Sequence, residues 1–169
     1  MNPSPDKAAF LQLIQENKAI LFKISNSYCH NEQDREDLVQ EIIFQLWKSG
    51  HSFQSERRFT TWMYRVALNV AISFYRKKSR TTPTLSLTEH VMEIEDHANG
   101  NDSIEENLRL LQQFIHELPE LDRALMLLYL EEKSYSEIAE ILGISETNVA
   151  TKISRIKGRL KQRFTTIIQ

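Results

Sequence analysis

Apolar residues recur at three- and four-residue intervals along almost the whole chain, and no segment sustains a period of two. A helix turns once in about 3.6 residues, so such a stripe lies on one helical face, whereas a half-buried strand alternates. The chain is therefore expected to be all-α. Only four Gly and four Pro in 169 residues suit long helices joined by short turns.

The stripes divide the chain. Phe10, Leu13, Ile14, Leu21, Ile24 and Tyr28 mark a first helix. Asn31 or Asp34 can cap a second, with Leu38, Val39, Ile42, Ile43, Leu46 and Trp47 as its inner face. Lys48 to Arg58 holds Gly50 and several Ser, and reads as a loop. A third helix carries Phe59, Trp62, Met63, Val66, Val70 and Phe74 on one face. Together these three can close one small bundle. Periodicity then stops from Thr81 to Ser103, where Pro83, Gly100 and clustered acids indicate a flexible acidic linker with at most a short turn at Glu89–Glu95. It resumes with Ile104, Leu108, Leu111 and Ile115, and Pro119 opens a helix through Leu121, Leu125 and Leu128. Two further helices complete a second bundle. The expected domains are 8–80 and 104–165, joined by linker 81–103.

A formal net charge of −2 conceals strong segregation. Arg57 to Arg80 holds seven Arg/Lys and no acid, whereas Thr81 to Asn107 holds seven Asp/Glu and no Lys or Arg. From Ser145 onward there are six Arg/Lys against the single acid Glu146. Partners respond to local patches, so two basic blocks around an acidic one point to a polyanion.

The second domain contains the most specific local pattern. Ser134-Tyr135-Ser136-Glu137 is a capping box, in which the hydroxyl takes the Glu137 amide while that carboxylate reaches back. The short helix it opens is expected to bury Ile138, Ala139 and Leu142. Gly143 permits the turn, and Ser145 caps a longer helix with Val149, Ile153, Ile156 and Leu160 inward. Asn148, Lys152, Arg155 and Arg159 lie opposite. A basic face alone fits an ordinary solvated helix. Two capped helices joined by Leu-Gly-Ile-Ser make it a helix-turn-helix, whose second helix meets base edges first and phosphates later. The expected duplex-reading set is Ser145, Thr147, Asn148, Thr151, Lys152, Arg155 and Arg159.

The third helix interleaves cations with Phe59, Trp62, Tyr64, Phe74 and Tyr75. Its other face runs Thr61, Arg65, Asn69 and Arg76, ending in Arg76-Lys77-Lys78-Ser79-Arg80. Cations at a helix C-terminus also suit its dipole, so that last cluster has an ordinary explanation. Beside an aromatic-bearing loop, however, such a helix can hold a single strand, with bases stacked on rings and phosphates on cations. Residue types alone leave duplex and single-strand binding open.

Taken together, these motifs resemble the extracytoplasmic-function (ECF) type of bacterial sigma factor, over about Ala8 to Phe164. Asp34-Arg35-Glu36-Asp37-Leu38-Val39-Gln40-Glu41, continuing to Phe44-Gln45-Leu46-Trp47, is similar to the family's region 2.2, written D-A-E-D-L-x-Q-E. Phe59 to Asn69, reading FTTWMYRVALN, is similar to the F-x-x-W-L-Y-R-I-A-x-N of regions 2.3 and 2.4. Tyr135 to Ser145, YSEIAEILGIS, resembles region 4.2. The resemblance implies a region 2 bundle and a region 4 helix-turn-helix in a promoter-specificity subunit of RNA polymerase, with no cofactor.

It further implies residue roles. Glu36, Asp37, Gln40 and Glu41 would dock on the clamp coiled coil of the polymerase largest subunit, an acidic rim apt for a basic partner. The loop Lys48 to Arg58 would capture a flipped base of the −10 element. Phe53, Arg58, Arg65, Asn69, Arg76 and Lys77 would hold that element and the melted strand, while the recognition helix reads the −35 element as duplex. The acidic linker would thread through the polymerase, its charge pointing to mimicry of nucleic acid in a basic channel. An anti-sigma factor, often membrane-bound, would be the inhibitory partner, wedged between the domains. Three positions depart from the usual pattern: Arg35 for a small residue, Asn148 for Thr and Ala150 for Lys. They bear on which promoter is read.

Other functions fit less of the chain. An autonomous helix-turn-helix regulator accounts for Ser134 to Leu160 but not for the aromatic-basic helix or the region 2.2 motif. For an enzyme, Cys29, His30, His51, His90 and His97 are scattered without close zinc-ligand spacing, and the histidines are expected at the surface. No glycine loop or nucleophile elbow is present. The single cysteine fits a reducing cytoplasm, and neither a secretory leader nor an apolar membrane-length run is evident.

Overall fold

The computed structural model describes residues 7–53, 58–81 and 102–168. These form helices α1 (Lys7–Glu16), α2 (Lys18–Tyr28), α3 (Glu32–Ser49), α4 (Phe59–Thr81), α5 (Asp102–Glu117), α6 (Glu120–Leu130), α7 (Tyr135–Leu142) and α8 (Glu146–Ile168), with a 3-10 turn at Gly50–Ser52. Among the described residues there is no strand, as the periodicity requires. Most of the linker, including its expected turn at Glu89–Glu95, and residues 54–57 of the loop lie outside the described residues.

The expected single first helix is two. Asn17 interrupts it: its amide approaches the Leu13 and Ile14 carbonyls at 3.2 Å each, and its side-chain Nδ2 donates to Leu13 O at 2.8 Å. A short polar side chain that satisfies a terminal carbonyl competes with helix continuation. The break lets Phe10 and Ile14 on α1 and Leu21, Ile24 and Tyr28 on α2 all reach the core. Asn31 caps α3, its side-chain oxygen accepting from the Asp34 amide at 2.7 Å.

In the first half, α2, α3 and α4 bury Leu38, Ile42, Leu46, Met63, Ala67 and Ala71 completely. Burial of each large aliphatic side chain stabilises the bundle by roughly 1.5–3 kcal/mol. Phe10 lies over Gly50, where an added Cβ would stand 3.1 Å from its ring. The same ring meets Phe59 edge-on at 6.0 Å and Trp62 at 5.8 Å. In the second half, α6, α7 and α8 gather Leu125, Leu128, Ile138, Val149, Ile153 and Ile156.

The two halves also meet each other: α2 and α4 pack against α5, α6 and α7, so the buried residues form one continuous cluster. Arg123 of α6 is fully buried at this junction. Its guanidinium lies 5.2 Å from the Tyr28 ring and 4.6 Å from the Tyr75 ring. It donates to Ser27 O at 3.1 Å, His116 O at 2.5 Å and Leu118 O at 3.1 Å. A buried cation without such hydrogen bonds and ring faces would be costly. Beside it, Tyr28 Oη donates to Glu120 O at 2.6 Å, and burial pushes the Tyr28 phenol well above its ordinary range. No described helix is long and apolar enough to cross a membrane.

Candidate nucleic-acid interface

The helix-turn-helix is built by its caps. Ser134 Oγ accepts the Glu137 amide at 3.1 Å, and Ser145 Oγ accepts the Asn148 amide at 3.1 Å. Between them Gly143 takes φ 69° and ψ 34°, the left-handed conformation that a side chain would strain. The Glu137 carboxylate lies 3.6 Å from Arg58 rather than closing the box on Ser134. Ile138 and Ile141 are the fully inward residues of α7, the latter in addition to the expected set, while Ala139 and Leu142 are half-buried.

On α8, Val149, Ile153 and Ile156 face the core and Leu160 is half-buried. Ser145, Thr147, Asn148, Thr151, Arg155 and Arg159 are exposed and share one accessible surface. Lys152 stands apart: it is half-buried at the flank, with Nζ 4.0 Å from Asp122 of α6. Lys157 lies over the Tyr129 ring at 4.3 Å, and its bond to that phenol raises its pKa.

A second surface lies where the 3-10 turn meets α4. Ser49, Ser52, Phe53, Trp62, Arg65 and Asn69 line an open cleft of about 330 Å³. Phe53 and Trp62 have centroids 5.4 Å apart, and Phe53 meets Phe59 edge-on at 5.4 Å. Rings backed by other rings form a firm wall against which a flat base can stack. Arg65 and Asn69, one helical turn apart and both exposed, supply a cation and an amide at its edge. Of the residues expected on the melted strand, this cleft brings together Phe53, Arg65 and Asn69. It does not include Arg58, Arg76 or Lys77, although all three are exposed. Arg76 lies two turns further along α4, where Nε donates to Glu120 Oε1 at 2.8 Å. That bond holds the Glu120 carboxyl below its ordinary value. Trp62 and Ser49, read from sequence as core and loop, belong to the cleft.

A third surface is the outer face of α3. Glu36, Asp37, Gln40 and Glu41 are all exposed or half-exposed there. Ile43 and Trp47, expected inward, are 40% and 44% exposed, and Phe44 is 56% exposed. The acidic rim therefore borders an apolar patch. Among the described residues no group of three or more His, Cys, Asp or Glu is placed to hold a metal ion. His51 is exposed, whereas His30 is half-buried, its ring 4.8 Å from that of His116.

Sigma-70 region 2 matches residues 13–81 and Sigma-70 region 4 matches residues 108–160. The chain is 30% identical over 169 residues to the ECF RNA polymerase sigma factor SigW of Bacillus subtilis, spanning 94% of this chain and 90% of that one. It belongs to the ECF sigma factors. A second relative, the ECF RNA polymerase sigma-E factor of Haemophilus influenzae, is also 30% identical, over 94% of this chain and 89% of its own. The fold of this sigma factor is shared by CnrH, solved in complex with the cytosolic domain of CnrY, at TM-score 0.69 and 22% identity over 96% of this chain and 92% of that one. It is shared equally by the sigma factor RpoE from Bartonella quintana, solved with the anti-sigma factor NepR, at TM-score 0.71 and 21% identity over 93% and 97% of the two chains. As a sigma factor the protein is a DNA-binding transcription initiation factor, the promoter-specificity subunit of RNA polymerase.

Proposed function

We propose that the three surfaces divide the work of initiation. The acidic and apolar face of α3, with Glu36, Asp37, Gln40 and Glu41 around Phe44 and Trp47, docks on the clamp coiled coil of the polymerase largest subunit. An acidic rim steers a basic partner, and exposed aromatics supply the contact area that holds it. The recognition helix then enters the major groove of the −35 element with Thr147, Asn148 and Thr151 toward base edges. Arg155 follows toward a guanine edge and Arg159 toward phosphates. The cleft of Phe53, Trp62, Arg65 and Asn69 takes a base flipped out of the −10 element, and Arg58, Arg76 and Lys77 track the strand released with it.

The observation that carries this division is the aromatic cleft on α4. A duplex reader of the ordinary kind needs only the helix-turn-helix, whereas ring faces at an exposed notch suit unpaired bases. Unstacking a base costs a few kcal/mol, which polymerase and −35 contacts help to offset. Catalysis of RNA synthesis stays with the polymerase. That role sets the protein in the cytoplasm, at the nucleoid, and its inhibitory partner is an anti-sigma factor, the kind of partner with which the RpoE of like fold was solved.

The experiment is a mobility shift on promoter-bearing fragments with the protein alone and with core polymerase. Specific retardation only in the presence of core is expected. Strong specific retardation by the protein alone would favour an autonomous regulator.

A further inference from the structure

One buried ring lies between two of the surfaces described above. Phe10 of α1 meets Phe59 at 6.0 Å and Trp62 at 5.8 Å, both on α4, and Trp47 of α3 at 6.3 Å. Trp62 is a wall of the aromatic cleft. Trp47 belongs to the apolar patch on the outer face of α3 and is 44% exposed. A single interior ring therefore joins the base cleft to the docking face.

A second connection runs along the backbone and passes the same ring. The Gly50 amide donates to Trp47 O, and the Phe53 amide donates to Gly50 O at 3.2 Å. The 3-10 turn thus hangs from Trp47 and ends on Phe53, the other ring of the cleft. Gly50 has an ordinary helical backbone, with φ −56° and ψ −30°. Glycine is needed there for space, because a Cβ would stand 3.1 Å from Phe10 Cζ.

Helix α1 is itself lightly held. It has ten residues and buries only Phe10 and Ile14. A helix of that length is marginal in water on propensity alone, so its place depends on the seating of those two side chains. Of the three rings around Phe10, Trp47 has solvent on one side, and its setting depends on what covers α3.

We propose that Phe10 is a positioning residue that couples polymerase docking to base capture. A partner covering Trp47 fixes that ring, which seats Phe10, which in turn holds Trp62 and the Gly50–Ser52 turn in the stacking arrangement. The proposal rests on the docking and cleft readings above. Packed rings favour a few discrete edge-on and offset arrangements, so a shift at one ring is passed on rather than absorbed. By linkage, a captured base tightens docking by the same factor that docking tightens capture.

The test uses the full chain with core polymerase. Phe10→Leu keeps an apolar side chain and removes the ring. Gly50→Ala leaves Phe10 in place and presses on it from the turn, in a backbone conformation that alanine accepts. Neither residue lines the cleft or lies on the docking face. Ile14→Val, at the other buried side chain of α1, controls for lost packing. Titration with core polymerase gives docking affinity with and without a saturating template. That template comes from a promoter mapped by run-off transcription and is left unpaired at its −10 element. In the wild-type chain and the control, the template should tighten docking by the same factor. In Phe10→Leu and Gly50→Ala, docking without template should keep its wild-type affinity. The tightening factor should fall on the order of tenfold, the worth of one stacked base. If Phe10→Leu does not fold, Gly50→Ala decides alone. A factor equal to the control's in both variants would overturn the coupling, as would a fall matched by an equal loss of docking without template. Two further variants separate the coupling from the readings beneath it. Trp47→Ala with undiminished docking faults the docking face, and Trp62→Ala with an undiminished factor faults the cleft; the coupling falls with either. If both show their losses while Phe10→Leu and Gly50→Ala match the control, the coupling alone falls.

Discussion

The Phe53 and Trp62 rings lie 5.4 Å apart and tilted by 50°, so the loop and α4 share one aromatic wall. Neither ring works alone, because Phe10 and Phe59 brace Trp62 from behind at 5.8 Å and 5.6 Å.

Trp62→Ala should therefore remove the wall rather than one contact. Base stacking on such rings contributes roughly 1–3 kcal/mol per base, so open-complex formation should fall about tenfold or more. Permanganate reactivity of the melted region reads this directly. The deficit should shrink on a template left unpaired at its −10 element.

Arg155→Ala tests the recognition helix. A lost guanidinium contact costs about 1–3 kcal/mol. Transcription from a promoter with its −35 element should drop accordingly, and much less where that element is scrambled. Equal losses on both templates would count against the assignment. Lys152→Ala should have the weaker effect, because that ammonium already lies toward Asp122 at the helix flank.

Replacing Asp37 and Gln40 together should weaken core binding before DNA binding, and Phe44→Ala should do so more strongly. Truncating an exposed aromatic anchor at a docked interface costs about 2 kcal/mol or more. Titration of labelled protein with core polymerase measures it. Unaltered affinity in all variants would remove α3 as the docking face.

Cys29 offers a probe of the fold itself. Burial, followed by the nearby Asp34 carboxylate, pushes its thiol from an ordinary 9.0 up to about 12. The folded protein should resist alkylation at neutral pH and react as it unfolds. Because the folded value is the higher one, this contribution to stability is complete below about pH 9. It is lost as pH rises from there toward 12. Tyr64, pushed up to about 12 by burial and Glu131, acts in the same direction. Alkaline destabilisation should thus be reduced but not abolished in Cys29→Ser. Thermal melts across that pH range check it.

Residues that act on their own backbone are legible in the sequence itself. Ser134, Gly143 and Ser145 announce caps and a left-handed turn within a few residues of themselves, and each does that here. The stripes likewise mark α3, α4 and α6. Periodicity misplaces positions at the edge of a stripe: Ile43 and Trp47 sit on the flank of α3 and face out, whereas Ile141 faces in. It also passes over Asn17, because a break that keeps the stripe in phase leaves no gap in the pattern. The junction of the two halves is the least legible part. Arg76 and Glu120 are 44 residues apart, and Arg123 stands in sequence like any solvated helix cation. Only the packing of one half on the other reveals that it is buried.

Reconstituted run-off transcription with purified core polymerase on genomic fragments tests the central claim most directly. Addition of the protein should yield discrete transcripts whose start sites share upstream elements at −35 and −10, and Trp62→Ala and Arg155→Ala should each diminish them. Core polymerase that initiates at the same sites to the same extent with and without the protein would contradict it.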